Sequence, residues 1–393
     1  MIILKGAKLL PQTQKPFIGD IAIEGKKIVK IAETIKENAG DKVYDMSGKY
    51  ITPGFIDAHS HIGMFEDGMG FEGSDGNEMT SPTTPQVRAI DAVNPFDPCF
   101  KESYTHGVTT VMTGPGSGNV IGGQFVILNT YGDSVEGMLF DTPVNNPAAM
   151  KAAFGENPKR VYNSKSQLPS TRLGTAAVLR EALIKAREYM EKKEKAGSDI
   201  EKMPAIDFKY ESLIPVLKRE LPLKIHCHRA DDILTAVRIS NEFNLKFTLD
   251  HFTEGYLIHP LIKKELEKNL VGVIIGPLLS DRSKIELRNL SFSSAKVLYE
   301  AGIPFAMMTD CPVIPQMYLP ICMSIAVREG LPEDYALKPI TINAAKILGI
   351  DDKTGSLDEG KLANIAVFDG DPLDVRSHCI MTLINGEIVH ERV

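Results

Sequence analysis

The sequence predicts an α/β chain: a TIM-like (β/α)8 barrel joined to a small β-sandwich domain built from both chain termini. Three observations carry this. Apolar strands alternate with amphipathic helical stretches over roughly 270 residues, the pattern of a parallel α/β barrel. Four of those strands end in histidine or aspartate. Both ends of the chain instead read as short strands joined by tight turns. A doubly wound sheet is the competing architecture. It is disfavoured because its polar residues would gather near one switch point, not at the ends of several strands.

From the N-terminus, "MIILKGAKLL", "GDIAIEGKKIVKIA" and "DKVYDMSGKYI" are strand-like. "DIAIEGKKIVKI" alternates with period two, and Gly25 supplies its turn. The C-terminal "GSLDEGKLANIAVFDGD" and "CIMTLINGEIVHE" are of the same kind, with Asn385-Gly386 as a tight-turn signal. Neither end makes a core alone, so residues 1–50 plus 355–393 are expected to form one composite domain around a barrel at 51–354. Barrel strands are expected at 107–114, 134–140, 222–228, 245–252, 271–277 and 304–310. Helices are expected in "TAAVLREALIKAREYMEKK", "YESLIPVLKREL", "DDILTAVRISNEF", "LIKKELEKN" and "SSAKVLYEAG".

With 393 residues and 43% apolar content, the chain can bury a large core. A net charge of -7, with lysines and arginines mixed among acids, argues against a nucleic-acid partner. The 5 cysteines include no CxxC pair, which fits a reducing, cytoplasmic setting better than a disulfide scaffold. "MIILKGAKLLP" runs directly into a strand pattern and reads as the start of the fold, not a leader. No apolar run is long enough to cross a bilayer as a helix, so no membrane partner is expected. The oligomeric state is left open, a homo-oligomer included.

The chemistry begins at "ITPGFIDAHSHIG". His59 and His61 are two apart on a strand, so both face one side and can reach one ion. Later strands end in His226 and His228, in His251, and in Asp310. In a barrel these ends surround one mouth. Imidazole and carboxylate suit zinc, iron, nickel or manganese better than calcium. A single histidine closing a strand is ordinarily just a satisfied polar group; it is the set that argues for a metal. His106 precedes its strand and is read as structural, and His259, His378 and His390 are placed outside the site. "GPGSGNVIGGQ" at 114–124 lacks the GK[ST] ending of a phosphate loop and is expected to line the mouth as flexible backbone. Cys227 should face away from its flanking histidines, and Cys311 is a candidate to line the pocket, with no base-and-orienter set to make either a nucleophile.

"PGFIDAHSHIG" resembles the opening metal motif of the amidohydrolase superfamily. "KIHCHRADD", "DHF", "MMTD", "TINAAKILGI" and "GSLDEGKLANIAVFDGDPL" agree in order, the tail being similar to imidazolonepropionase-like members. That resemblance implies one or two divalent metals, zinc before iron, nickel or manganese. They would be held by His59, His61, His226 or His228, His251 and Asp310. His226 is favoured as the ligand, and His228 as a contact to substrate or to the transition-state oxygen. Two-metal members add a bridging carboxylated lysine or glutamate from the third or fourth strand; Glu156 is favoured, with Lys151 and Lys209 as alternatives. Deaminase members carry HxxE at the fifth strand. Here Arg229 stands three past His226, which weakens that reading, and the double histidine resembles branches that include dipeptide-hydrolysing members.

The expected reaction is hydrolysis of an amide C–N bond in a small molecule, cyclic or peptide-like. A metal lowers the pKa of bound water from near 16 to roughly 7. Asp310 is expected to take the proton of the attacking water and pass it to the leaving nitrogen. A deaminase and a non-enzymatic metal-binding barrel with an assembly or regulatory role are the alternatives. Arg229 and Arg282 are candidates to meet an anionic substrate, and loops 64–105, 141–175 and 278–290 should set specificity.

Overall fold

Alternating apolar residues at both termini fold as one mixed sheet. The computed structural model describes residues 1–140 and 147–392. Its first strands are β1 (Ile2–Leu9), β2 (Phe17–Glu24), β3 (Lys27–Ala32), β4 (Lys42–Asp45) and β5 (Tyr50–Pro53). The chain then enters the barrel through β6 (Phe55–Ser60), α1 (Pro98–Thr105), β7 (Val108–Thr113), β8 (Ile121–Asn129), α2 (Val135–Met138) and β9 (Ala149–Ala153). The helices α3 (Glu156–Asn163), α4 (Arg172–Ala196) and α5 (Phe208–Leu217) lead to β10 (Leu223–Cys227). After it come α6 (Ala230–Glu242), β11 (Phe247–His251), α7 (His259–Lys263), β12 (Leu270–Ile275), α8 (Ser294–Glu300) and β13 (Phe305–Met307). The helices α9 (Leu319–Arg328) and α10 (Ile342–Leu348) precede the last strands, β14 (Ile365–Phe368), β15 (Cys379–Ile384) and β16 (Glu387–Glu391).

The small sheet runs in the order β16-β15-β14-β5-β1-β2-β3, with β4 also paired to β1. The two termini therefore meet where β14 pairs antiparallel with β5. Leu4, Leu9, Ile21, Ile51, Ile365, Val367 and Leu383 form its core, drawn from both ends of the chain. Burying apolar surface at about 25 cal/mol per Å2 is worth the ordering cost only when both halves are present.

The barrel strands are ordered β6 to β13 without interruption. Seven of the eight run in one direction; β8 is antiparallel to both β7 and β9. The barrel is thus a distorted (β/α)8 with a reversed third strand. It closes where β13 returns to β6: Thr309 donates to Asp57 through its hydroxyl (2.5 Å) and its backbone N–H (3.3 Å), and the His61 N–H donates to the Cys311 carbonyl (2.8 Å).

Three expectations change. The segment 134–140 is not a strand: the Ser134 hydroxyl accepts the Gly137 N–H and starts the short helix α2. The third strand is β8, whose first residues lie in the glycine-rich stretch read as a loop. The fourth strand, β9, lies in "AMKAA", a stretch without strand-like composition. The long helix stands where expected: α4 is capped by Thr171, buries Leu179, Leu183 and Ala186 on one face, and ends at Gly197 with φ +56. Of the expected specificity loop 141–175, residues 141–146 lie outside the described residues.

Candidate metal centre

The site is built at the C-terminal ends of the strands, because each strand is apolar along its length and polar where it stops. Two groups of three ligand-type side chains gather there, His59, His61 and Asp310 in one and His226, His228 and His251 in the other, with the ligand atoms of each group within 4.8 Å of one another. The groups adjoin: the His59 and His251 ring centroids are 5.6 Å apart. All six residues are buried.

Hydrogen bonds set the tautomers. His59 Nδ1 donates to Asp250 Oδ2 (2.5 Å), His61 Nδ1 to the Gly114 carbonyl (2.6 Å) and His251 Nδ1 to the Gly276 carbonyl (3.1 Å). Each therefore presents a bare Nε2, the arrangement of metal-ligating histidines whose other nitrogen is held by a carboxylate or carbonyl. Asp250 is in turn anchored by Lys224 Nζ (2.9 Å) and the Thr248 hydroxyl (2.8 Å). Asp310 Oδ1 lies 3.2 Å from His61 Nε2 and 3.5 Å from His59 Nε2. Both nitrogens of His226, His251 Nε2 and Asp310 Oδ1 are buried without a hydrogen-bond partner. Buried polar groups left unpaired cost roughly 1–3 kcal/mol each. Several converging at one point are what a divalent cation would satisfy, so the donor set fits a metal.

Electrostatics agree. Burial holds His59, His226 and His251 well below the usual imidazole range, and lysines nearby push the same way. They are neutral imidazoles at pH 7, the form a metal would bind. Burial also lowers His228 to about 3 and Lys151 to about 8. Backbone strain accompanies the ligands: His251 and Asp310 have φ of 67° and 55°. Non-glycine residues held there cost about 1–3 kcal/mol and gather at functional sites.

Of the bridge candidates, Lys151 lies on β9, fully buried, with Nζ 3.2 Å from His59 Nε2. Glu156 begins α3 and belongs to neither ligand group; its backbone N–H donates to Glu286 (2.9 Å). Gly155 makes that turn possible, with φ +87 and a Cβ position 2.5 Å from Glu286 Oε2. Lys209 lies in the first turn of α5 and reaches the Ser81 hydroxyl at 3.3 Å. Unlike His226 and His251, His228 has protein groups at both nitrogens, the Thr253 hydroxyl at Nδ1 (2.8 Å) and Glu286 Oε1 at 3.7 Å from Nε2.

Arg229 is paired with Asp231, and Arg282 donates to the Leu290 carbonyl. Neither lines the cavity at the metal groups, which encloses about 340 Å3 and is walled by Phe65, Asn157, Lys284, Leu287, Leu290 and Val313 among others. Gly116 and Ser117 of the glycine-rich stretch also line it. A larger cleft of about 560 Å3 runs between the small sheet and the barrel, but no histidine lines it; the histidine groups line the smaller one. Cys227 and Cys311 are buried; burial raises Cys227, and the Cys99 thiol together with burial raises Cys311, so neither supplies a thiolate.

Asp250, Lys224, Glu286 and Lys284 escaped sequence reading. One signal was present. In "LKIHCH", Lys224, His226 and His228 are two apart and share a side of the strand.

Comparison with known proteins places this geometry. Residues 50–389 match the model of the amidohydrolase family. Amidohydrolase tasK of Hapsidospora irregularis is 30% identical over 94% of this chain, which spans 40% of that protein's length. An imidazolonepropionase of Fusobacterium nucleatum is 25% identical over 89% of this chain and 85% of its own. The crystal structure of an amidohydrolase from Thermotoga maritima MSB8 superposes with a TM-score of 0.95 at 42% identity, covering 100% of both chains. The strand-end ligands and the barrel that carries them have the same explanation: the chain belongs to the amidohydrolase family.

Proposed function

We propose that the chain hydrolyses an amide C–N bond in a small cyclic or peptide-like substrate, with two divalent ions, zinc before iron, nickel or manganese. The observation that carries this is the pair of adjoining ligand groups with the Lys151 amine beside His59. In this reading His59, His61 and Asp310 serve one ion, and His226 and His251 the other. Lys151, as a carbamate formed with loss of a proton, would be the further residue holding the pair, in place of the Glu156 favoured by sequence. Its lowered pKa leaves a share of neutral amine for reaction with carbon dioxide.

Divalent ions held there would supply a water that is nucleophilic at neutral pH and would polarise the scissile carbonyl. Asp310, which lines the cavity, would accept the proton of the attacking water and return it to the leaving nitrogen. His228 faces the same cavity, aimed by Thr253, and contacts the substrate oxygen as charge develops. The walls that exclude water are Phe65, Leu287, Leu290 and Val313.

A deaminase reading is not favoured, because the position of its proton-shuttling glutamate is Arg229, paired with Asp231. A purely structural barrel would have no need of this full ligand set. Among the described residues no helix is long and apolar enough to cross a membrane. We place the enzyme in the cytoplasm because all five cysteines are free. The net charge of -7 speaks against nucleic acid as substrate.

The test is elemental analysis of protein purified without chelator, followed by an amide panel with wild type and Asp310→Asn. Bound metal and a loss of turnover of about 100-fold or more in the variant are expected. Metal-free protein, or an Asp310→Asn variant as active as wild type, would sink the proposal.

A further inference from the structure

We propose that Lys284 is a specificity residue that receives an anionic group of the substrate, a carboxylate in the simplest case; this rests on the amide-hydrolysis reading above. Lys284 stands in the loop after β12 and lines the cavity that holds the metal groups. It is half-buried, and among the described residues its ammonium has no hydrogen bond or ion pair. The arginines that sequence reading offered for this task are spent elsewhere, Arg229 on Asp231 and Arg282 on a carbonyl. The charge of Lys284 reaches the metal groups, where it helps disfavour protonation of His226, His228 and His251.

The Lys284 ammonium makes no hydrogen bond or ion pair among the described residues, although its charge acts on the buried Glu286, and an anion that reaches it in the half-enclosed cavity gains more than at the open surface. A second feature narrows the ligand. Asn157, on the β9 side of the mouth, spends its amide nitrogen on the Ser117 hydroxyl (2.7 Å) and leaves Oδ1 buried without a partner. A ligand that fills the cavity therefore meets a cation at one place and a free acceptor at another. An N-acyl amino acid carries both complements, a carboxylate and an amide N–H. Its side chain would lie against Phe65, Leu287 and Leu290.

The experiment uses the metal-loaded protein and a panel of N-acetyl amino acids with apolar side chains, each paired with its neutral carboxamide. Binding is measured by calorimetry, and hydrolysis by KM and kcat. Wild type is expected to bind the carboxylate of each pair about 10- to 100-fold more tightly, the size of one charge-assisted hydrogen bond. K284M should erase that preference by raising Kd and KM for carboxylates while kcat changes little, and K284R should retain part of it. A preference that survives K284M unchanged means that the ions take the carboxylate, and overturns the proposal. So does a wild type that shows no preference, or that binds no member of the panel. The two readings fail separately. Hydrolysis of the neutral amides without carboxylate preference removes the role of Lys284 and keeps the hydrolase. A Lys284-dependent preference with no turnover does the reverse.

Discussion

Lys151 Nζ lies 3.2 Å from His59 Nε2, and neither side chain is exposed. Burial lowers the Lys151 pKa from 10.5 to about 8, outweighing the pull of the Asp250 and Asp310 carboxylates. If Lys151 bridges two ions as a carbamate, K151A should lose about one equivalent of metal and most of its activity. A carbamate resonance should appear in wild type loaded in 13C-bicarbonate and be missing in K151A. Full metal content in K151A with loss in E156Q would return the bridge to Glu156. Without metal, the same lysine makes a pH prediction. Between about pH 8 and 10.5 the unfolded chain keeps the proton that the folded chain has released. Unfolding stability therefore gains a positive slope with pH there, and denaturant titrations should show it in wild type but not in K151M.

His226 and His228 separate in the same way. His226 has no partner at either nitrogen, whereas His228 sits between Thr253 and Glu286. H226A should lower metal affinity by more than the roughly 10- to 100-fold typical of losing an outer partner. H228A should keep its metal and lose kcat. Equal metal loss in both would make His228 a ligand. E286Q, which removes the charge facing His228 Nε2, should change the pH profile of kcat while metal content stays constant.

Asp250 supports the centre from outside. Its Oδ2 takes both His59 Nδ1 (2.5 Å) and Lys224 Nζ (2.9 Å). D250N should weaken metal binding by about 10- to 100-fold. It also leaves the Lys224 ammonium, 1% exposed, without its counter-charge. A buried ion stripped of its partner costs about 3–5 kcal/mol. Restoring stability in D250N/K224M without restoring metal affinity would separate the two effects; a fully stable D250N would refute the argument.

The residues that gather at the barrel mouth were legible because a polar residue closing an apolar strand breaks a pattern the core imposes. His59, His61, His226, His251 and Asp310 all do this. Lys151 was harder to find because "AMKAA" lacks the β-branched and aromatic residues that mark strands, and a lysine normally signals the surface. β8 was missed because Gly122 and Gly123 read as a loop. Gly123, at φ +128, instead lets the strand pass within contact of Val87. Lys284 could not be chosen over Arg229 and Arg282 because all three follow strand ends, and which one has a free head depends on tertiary partners. Asp250 was hidden for a related reason: its partner His59 is 191 residues away in the chain.

The last strand is joined to the first by side chains more than by a ladder, and this gives the barrel a point of failure. Asp57 Oδ2 accepts the Thr309 hydroxyl (2.5 Å), the Thr309 N–H (3.3 Å) and Gln316 Nε2 (3.1 Å), while Oδ1 accepts the His59 N–H (3.2 Å). Burial pushes Asp57 up to about 6 even with these donors. Thr309 precedes Asp310, and Asp57 precedes His59 by two, so one carboxylate sets the distance between candidate ligands carried by the first and last barrel strands. Thr309→Val keeps the shape and removes the hydroxyl. It should cost about 1–3 kcal/mol of stability, since a buried charged acceptor loses a donor. Metal affinity should fall with it, because Asp310 is no longer held against His61. Asp57→Asn should do the same by another route. The two changes act on one bond, so in a double-mutant cycle their effects should fall short of additivity by about 0.5 kcal/mol or more. Strict additivity, or a Thr309→Val protein with unchanged metal affinity, would show that the barrel closes without this contact.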